Sequence, residues 1–283
     1  MKLHCPNCHE SLDFEQLKCC NNHRFKYEDG VLILLEEKFE RILNPFLDKF
    51  TPVSKTENRN HLAPPDYEKL PFGKAVENNK EWRLRCYDLE IIVQLLQGRK
   101  RQRILEIGPF NGWLTHRLVK TGHQLTVIDY FIDEPIGLKT KKFYRQEWQA
   151  IQMDVRDLSI FREKFEVIIL NRCLQFFENP VEYLKSVKNY LDEQGLLIIS
   201  GMQLFKNPFR KIEQLQKMKQ EFLHRYHFPV SFIPTKDYLD FNDKQRLESE
   251  GVKFYRYPQL KMANLRAVLQ PKISGHYYGV YFA

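Results

Sequence analysis

Two groups of residues in this sequence have types and spacings suited to chemistry. The first lies in "ILEIGPFNGWLTHRLVKTGHQLTVID", Ile104 to Asp129, where Glu106 precedes a turn at Gly108 and Gly112 and a second apolar run closes on Asp129. A chain turning from strand to helix lets a ligand come close only where a Cβ is missing. A carboxylate closing the second strand can accept hydrogen bonds from both hydroxyls of a ribose. The turn lacks the third glycine of a G-x-G-x-x-G fingerprint, and Pro109 and Phe110 add bulk unsuited to a pyrophosphate, so a nucleoside without phosphates fits better. The second group is Cys5 and Cys8, a C-P-x-C knuckle, followed by "CCNNH". A two-residue gap lets both sulfurs reach one tetrahedral ion, and the second pair completes the set. The assigned ligands are Cys5, Cys8, Cys19 and His23, with Cys20 as the substitute for Cys19, and a closed four-ligand zinc site is structural as a rule.

The periodicity places these residues on an alternating strand and helix framework. Glu81–Gln97 repeats apolar residues at helical spacing and stops at Gly98; Trp113–Lys120 is a second helix, between the two strands of the glycine turn. A third strand ends at "IQMD", bringing Asp154 and Val155 to its carboxyl end, and a fourth, Phe165–Leu170, brings Asn171 to Cys173 to the same edge. Cys173 reads as a small buried hydrophobe rather than a nucleophile. Asn179, Pro180 and Glu182 start a helix that runs to Leu191, and Gly195 opens the fifth strand, "LLIIS". An insertion from Met202 to about Pro234, rich in Lys and Arg, begins at the carboxyl edge and is positioned as a lid. Thr235–Glu250 is expected as a helix, with "VKFYRYPQL" and "YYGVYFA" as closing strands. The run Arg99 to Arg103 precedes the first strand of the framework and so falls at the opposite edge. Residues 37–80 carry Pro52, Pro64, Pro65 and Pro71 and read as a linker with short helical pieces separating two cores, its aromatics Tyr67, Phe72 and Trp82 forming either a flap over the cofactor or anchors packed on the next domain.

A chain of 283 residues accommodates one α/β domain, residues 81–283, and a small ribbon, residues 1–36, too short to fold without a staple. Four of the six cysteines fall in the first 20 residues, which in a reducing compartment points to metal rather than disulfides. No run reaches the length of a membrane span and no signal-like core is present, so a cytoplasmic protein is expected. The net charge of +8 favours an anionic partner such as nucleic acid.

"LEIGPFNG" resembles the first cofactor motif of class I S-adenosylmethionine-dependent methyltransferases, and Asp129 matches their second-strand acid. The resemblance implies an α/β, Rossmann-like sheet of seven strands ending in an antiparallel hairpin. It also implies S-adenosylmethionine held by Glu106, Gly108, Gly112 and Asp129, with Asp154 and Val155 at the adenine and Asn171 facing the reacting groups. The cysteine segment resembles the zinc ribbon of bacterial large-subunit rRNA guanine-N1 methyltransferases, with Phe25 two residues after His23, and so implies an RNA base as methyl acceptor. After the fifth strand this chain reads "GMQLFKNP" in place of the proline-containing His-Leu motif of those enzymes. The second reading is a small-molecule or lipid-precursor methyltransferase, in which Phe205, Phe209, Phe222 and Phe228 make the insertion an apolar lid. A third is a non-catalytic binding scaffold.

Overall fold

The computed structural model describes residues 2–57 and 62–283. Four short strands form first: β1 (Leu12–Asp13), β2 (Lys18–Cys19), β3 (Lys26–Glu28) and β4 (Val31–Ile33). Next come the helices α1 (Glu37–Glu57), α2 (Pro64–Tyr67) and α3 (Lys80–Leu96), the last capped by Asn79, whose side chain accepts from the Glu81 and Trp82 amides. The glycine turn joins β5 (Arg103–Ile107) to α4 (Trp113–Lys120), which leads to β6 (Gln124–Asp129). The chain continues through β7 (Gln149–Gln152), β8 (Phe165–Asn171), α5 (Pro180–Lys188), β9 (Leu191–Phe205) and α6 (Phe209–Tyr226). It closes with β10 (Leu239–Asp240), α7 (Phe241–Ser249), β11 (Lys253–Arg256), α8 (Lys261–Leu269) and β12 (Gly275–Phe282).

The main sheet runs β11-β12-β9-β8-β5-β6-β7-β4-β3, with β10 beside β9. Seven of these strands, from β11 to β7, are the expected ones, and β12 lies antiparallel to both β9 and β11. Successive side chains along a strand point to opposite faces. Ile104 and Leu105 accordingly enter two different cores, one on each side of the sheet. Covering both faces is what lets parallel strands consist almost wholly of apolar residues.

The separation of two cores is corrected by the sheet itself. Strand β4 pairs with β7, Leu32 opposite Ile151, and the His4 amide donates to the Ile160 carbonyl at 2.8 Å. Leu3 and Leu12 belong to the same core as Leu105 and Ile168. Residues 37–57 of the supposed linker form one helix, α1, buried along Phe39, Leu43, Phe46 and Leu47; residues 58–61 of that stretch lie outside the described residues. The helix expected over Thr235–Glu250 begins only at Phe241, where Asp240 and Asp243 form a reciprocal cap. Helix α8 was not anticipated between the last two strands.

Candidate functional site

Strand β5 and the left-handed glycines that follow it carry the first part of the site. Gly108 has φ +67° and Gly112 φ +77°, and a Cβ on them would lie 3.1 Å from Cys173 Cβ and 3.2 Å from the Trp148 ring. The turn is therefore closed from behind by packed side chains, and only glycine fits it. Asn111, inside the turn, is fully buried, and its side-chain oxygen and nitrogen have no hydrogen-bond partner. Its backbone carbonyl accepts from the Tyr144 hydroxyl at 2.8 Å. Leaving a buried amide unpaired costs about 1–3 kcal/mol per group, which marks it as a place for a ligand's polar atoms.

The strand-end acids are brought together across β5 and β6. Glu106 is buried and accepts from the Thr115 hydroxyl at 2.6 Å. Asp129 accepts from the Phe131 amide at 3.1 Å. Burial pushes both carboxyls up, each to about 7, Asp129 adding to the effect on Glu106. Asp154 lies one strand further along, accepting from the Tyr130 hydroxyl at 3.2 Å and gripped by Arg156 at 2.6 and 2.9 Å. Val155 is buried beside it, its carbonyl taken by the Tyr183 hydroxyl at 2.7 Å. Cys173 is buried, its thiol donates to the Ile107 carbonyl at 3.2 Å, and burial raises its pKa far above the usual thiol range.

Asn171 does not join this group. Its amide donates to Ser200 Oγ at 2.8 Å and to Asp88 Oδ2 at 3.3 Å, in a second polar cluster that sequence reasoning missed. Asp88, from α3, also accepts from Arg172 Nε at 2.6 Å and from the Tyr257 hydroxyl at 2.5 Å. Arg172 has φ +58° and lies across Gly201, where a Cβ would sit 2.2 Å from Arg172 Cγ. The cluster draws on α3, the end of β8, β9 and the segment after β11, so no local spacing announces it.

Aromatic rings cover the Asp129 edge. Phe39 of α1, Tyr130 and Phe232 pack mutually, with ring centroids 5.1–5.9 Å apart. The insertion packs on α1 through Phe228 against Phe46 and through the Tyr226 hydroxyl, 2.7 Å from Glu57. Phe222 stacks edge-on against Phe228, while Phe209, expected to line an apolar lid, is 63% exposed and takes no part.

The four ribbon residues lie close together in space. Ligand atoms of Cys5, Cys8, Cys19 and His23 all lie within 4.8 Å of one another. Cys8 and Cys19 sulfurs are 3.6 Å apart, and His23 Nδ1 is 3.5 Å from Cys5 Sγ and 3.3 Å from Cys19 Sγ. A tetrahedral zinc ion at ordinary bond lengths needs about 3.5–3.8 Å between ligand atoms, so the donor set fits it. Cys20 is exposed and outside the cluster. The knuckle also reaches α1, because Asn7 accepts from the Glu37 amide at 3.0 Å.

A family model described as a methyltransferase domain matches residues 80–256. The chain is similar to the ubiquinone biosynthesis O-methyltransferase of Actinobacillus pleuropneumoniae serotype 7, 24% identical over 186 residues, 61% of this chain and 76% of that one. It is also similar to the malonyl-[acyl-carrier protein] O-methyltransferase of Halalkalibacterium halodurans, 29% identical over 122 residues, 38% of this chain and 44% of that one. In fold it is similar to the plantazolicin methyltransferase BpumL, solved with a triazolic desmethylPZN analog and SAH. That likeness has a TM-score of 0.50 and 17% identity, and covers 87% of this chain and 97% of that one. Among the described residues no helix is long and apolar enough to cross a membrane. The match spans more than half of the sequence and takes in the glycine turn and both strand-end acids, and the chain belongs to the methyltransferase-domain family as an S-adenosylmethionine-dependent enzyme.

Proposed function

We propose that this enzyme methylates a hydroxyl or carboxyl oxygen of a small acceptor. The observation that carries this reading is the pair of relatives named above, both O-methyltransferases, whose names point to small acceptors or to an acyl group on a carrier. S-adenosylmethionine supplies an electrophilic methyl group on a sulfonium. In this reading Asp129 accepts from the ribose hydroxyls, Gly108 and Gly112 permit close approach, and Asn111 supplies its unpaired amide. Glu106 underpins the turn from β5, and Asp154 and Val155 stand at the adenine end, where Arg156 must yield part of its hold on Asp154. Phe39, Tyr130 and Phe232 keep water from the reacting centre. Holding donor and acceptor in line within such a site supplies most of the rate. Cys5, Cys8, Cys19 and His23 hold a structural zinc ion.

The RNA reading draws on the ribbon, the net charge of +8 and the basic insertion together, and none of the three favours it over a small acceptor. Lys219 is paired with Asp237 at 2.5 Å and Lys217 with Glu221 at 3.8 Å, so part of the positive charge is met within the protein. The deciding experiment is methyl transfer from labelled cofactor into a total cell extract, separated into RNA, protein and small-molecule fractions. Label in the small-molecule fraction is expected. Label confined to RNA would return the acceptor to a nucleic-acid base.

A further inference from the structure

Helix α8, Lys261–Leu269, carries its apolar side chains on the wrong face. The buried face holds Asn264 and Ala267. Asn264 fastens that face to β12: its Oδ1 accepts from the His276 amide at 2.7 Å and its Nδ2 donates to the His276 carbonyl at 3.3 Å. The outer face is therefore left with Met262, Leu265 and Leu269, which are 67%, 51% and 73% exposed and stand three and four residues apart on one helical stripe. A helix of this composition ordinarily packs the other way round, because burying Leu or Met gains far more than burying Ala.

The apolar surface continues beyond the helix. The Asn207 amide donates to the Pro271 carbonyl at 3.0 Å, and the Ser274 hydroxyl donates to Gln203 Oε1 at 3.3 Å, which fixes the start of α6 beside the end of α8. Ile273 and Phe209, both exposed, stand on either side of that junction. Because β12 is antiparallel to both β9 and β11, the end of β11, the start of β12 and the end of β9 share the carboxyl edge of the sheet. The glycine turn and Asp129 lie on the same edge.

Charge says what covers this face. Residues 202–212 and 258–275 hold six cations, Lys206, Arg210, Lys211, Lys261, Arg266 and Lys272, and no acid. Among the described residues none of the six is in an ion pair, whereas Lys217 and Lys219 further along α6 are. Protruding apolar side chains among unpaired cations match anionic head groups lying over hydrocarbon. A second copy matches poorly, since a two-fold interface pairs a patch with itself and would set these cations against their own kind. We infer that α8 and the start of α6 dock the carboxyl edge of the sheet on an anionic bilayer, Met262, Leu265 and Leu269 entering among the acyl chains while the cations meet phosphate head groups. The nine residues of α8 suit a helix lying on a membrane, not one crossing it.

The test is flotation of the full chain with vesicles of phosphatidylcholine alone and of phosphatidylcholine mixed equally with phosphatidylglycerol. The protein is expected to bind the anionic vesicles about tenfold or more tightly than the neutral ones, and to be released as salt rises. Met262→Gln, Leu265→Gln and Leu269→Gln together should weaken that binding about tenfold without moving the urea midpoint, because these side chains already lie in solvent. Lys261→Gln, Arg266→Gln and Lys272→Gln together should cost a similar factor. The proposal is overturned if the native protein prefers neither vesicle, or if the first triple variant binds anionic vesicles as well as the native protein does, because charge alone would then hold it. Should neither vesicle be bound at all, sedimentation reassigns the face: a dimer dispersed by the first triple variant gives it to a second copy, and a monomer gives it to an acidic protein partner. Docking is read without cofactor or acceptor, so its failure leaves the small-acceptor reading where it stands.

Discussion

Asp129 is held in a place where its charge is costly, and that gives the cofactor reading a pH signature. Its folded pKa of about 7 lies above the ordinary carboxylate value near 3.9. The folded state therefore binds this proton more tightly than the unfolded chain. The stability it contributes is fully present below about pH 4 and is lost as pH rises towards 7, and Glu106 acts in the same direction. Ribose hydroxyls donating to Asp129 favour its charged form, so cofactor binding should expel a proton and tighten between pH 5.5 and 8. Calorimetry in two buffers of different ionisation enthalpy measures this directly; binding without proton exchange would separate Asp129 from the ribose. At pH 8, Asp129→Ala should weaken cofactor binding by about 2 kcal/mol or more, because two hydroxyls lose a charged acceptor. Gly201→Ala should lower stability by about 2–3 kcal/mol in urea unfolding, combining a left-handed backbone with overlap on Arg172. The strand and turn that carry Glu106, Gly108 and Gly112 were readable from the sequence because they are contiguous. The cluster of Asp88, Arg172 and Tyr257 was not, since each is unremarkable alone and only packing of α3 against the ends of β8 and β9 makes them a cluster.

Among elements, those with a clean period were legible and those with mixed signals were not. The alternation of β5, α4 and β6 follows directly from two apolar runs bracketing an amphipathic segment. Helix α1 was hidden by Pro45 and Pro52, although Phe39, Leu43, Phe46 and Leu47 already sit at helical spacing. Burial of that stripe outweighs the hydrogen bonds a proline withholds. The placement of α1 depends in part on a residue of the metal knuckle. Asn7→Ala should remove the bond to the Glu37 amide, cost about 1 kcal/mol, and loosen the first turn of α1 beneath the Phe39 and Tyr130 rings. Hydrogen exchange resolved to residues 37–43 checks this, and unchanged protection there would show that the cap is idle. Helix α8 escaped notice because "KMANLRAVL" leaves Met262, Leu265 and Leu269 exposed and buries Ala267 and Asn264 instead, so its hydrophobic pattern points the wrong way.

At the level of the whole molecule, the sheet runs without a break from β11 to β3, so loss of the proposed zinc ion from the ribbon would not stay local. Stripping zinc, or Cys8→Ser, should lower the main unfolding transition by several degrees in scanning calorimetry rather than melt a separate small unit, since metal binding is part of the folding free energy. An unmoved main transition would mean that β4 contributes nothing to the larger core. Beyond β4, the outer rim is the three-residue strand β3, whose Lys26 and Glu28 make it short and charged and so a poor template for other chains. The pairing of β4 with β7 also sets an order of events at the ribosome. The run Val31 to Leu35 is buried throughout, yet its partner β7, Gln149–Gln152, emerges only after more than a hundred further residues have been made. The Cys5, Cys8, Cys19 and His23 cluster lies within the first 23 residues, so the proposed metal clip would be complete long before then. If the ribbon binds zinc as proposed, the nascent chain carries a folded metal clip followed by an unsatisfied apolar strand, and nascent chains halted before residue 149 should recruit holding chaperones that chains extended past β7 release.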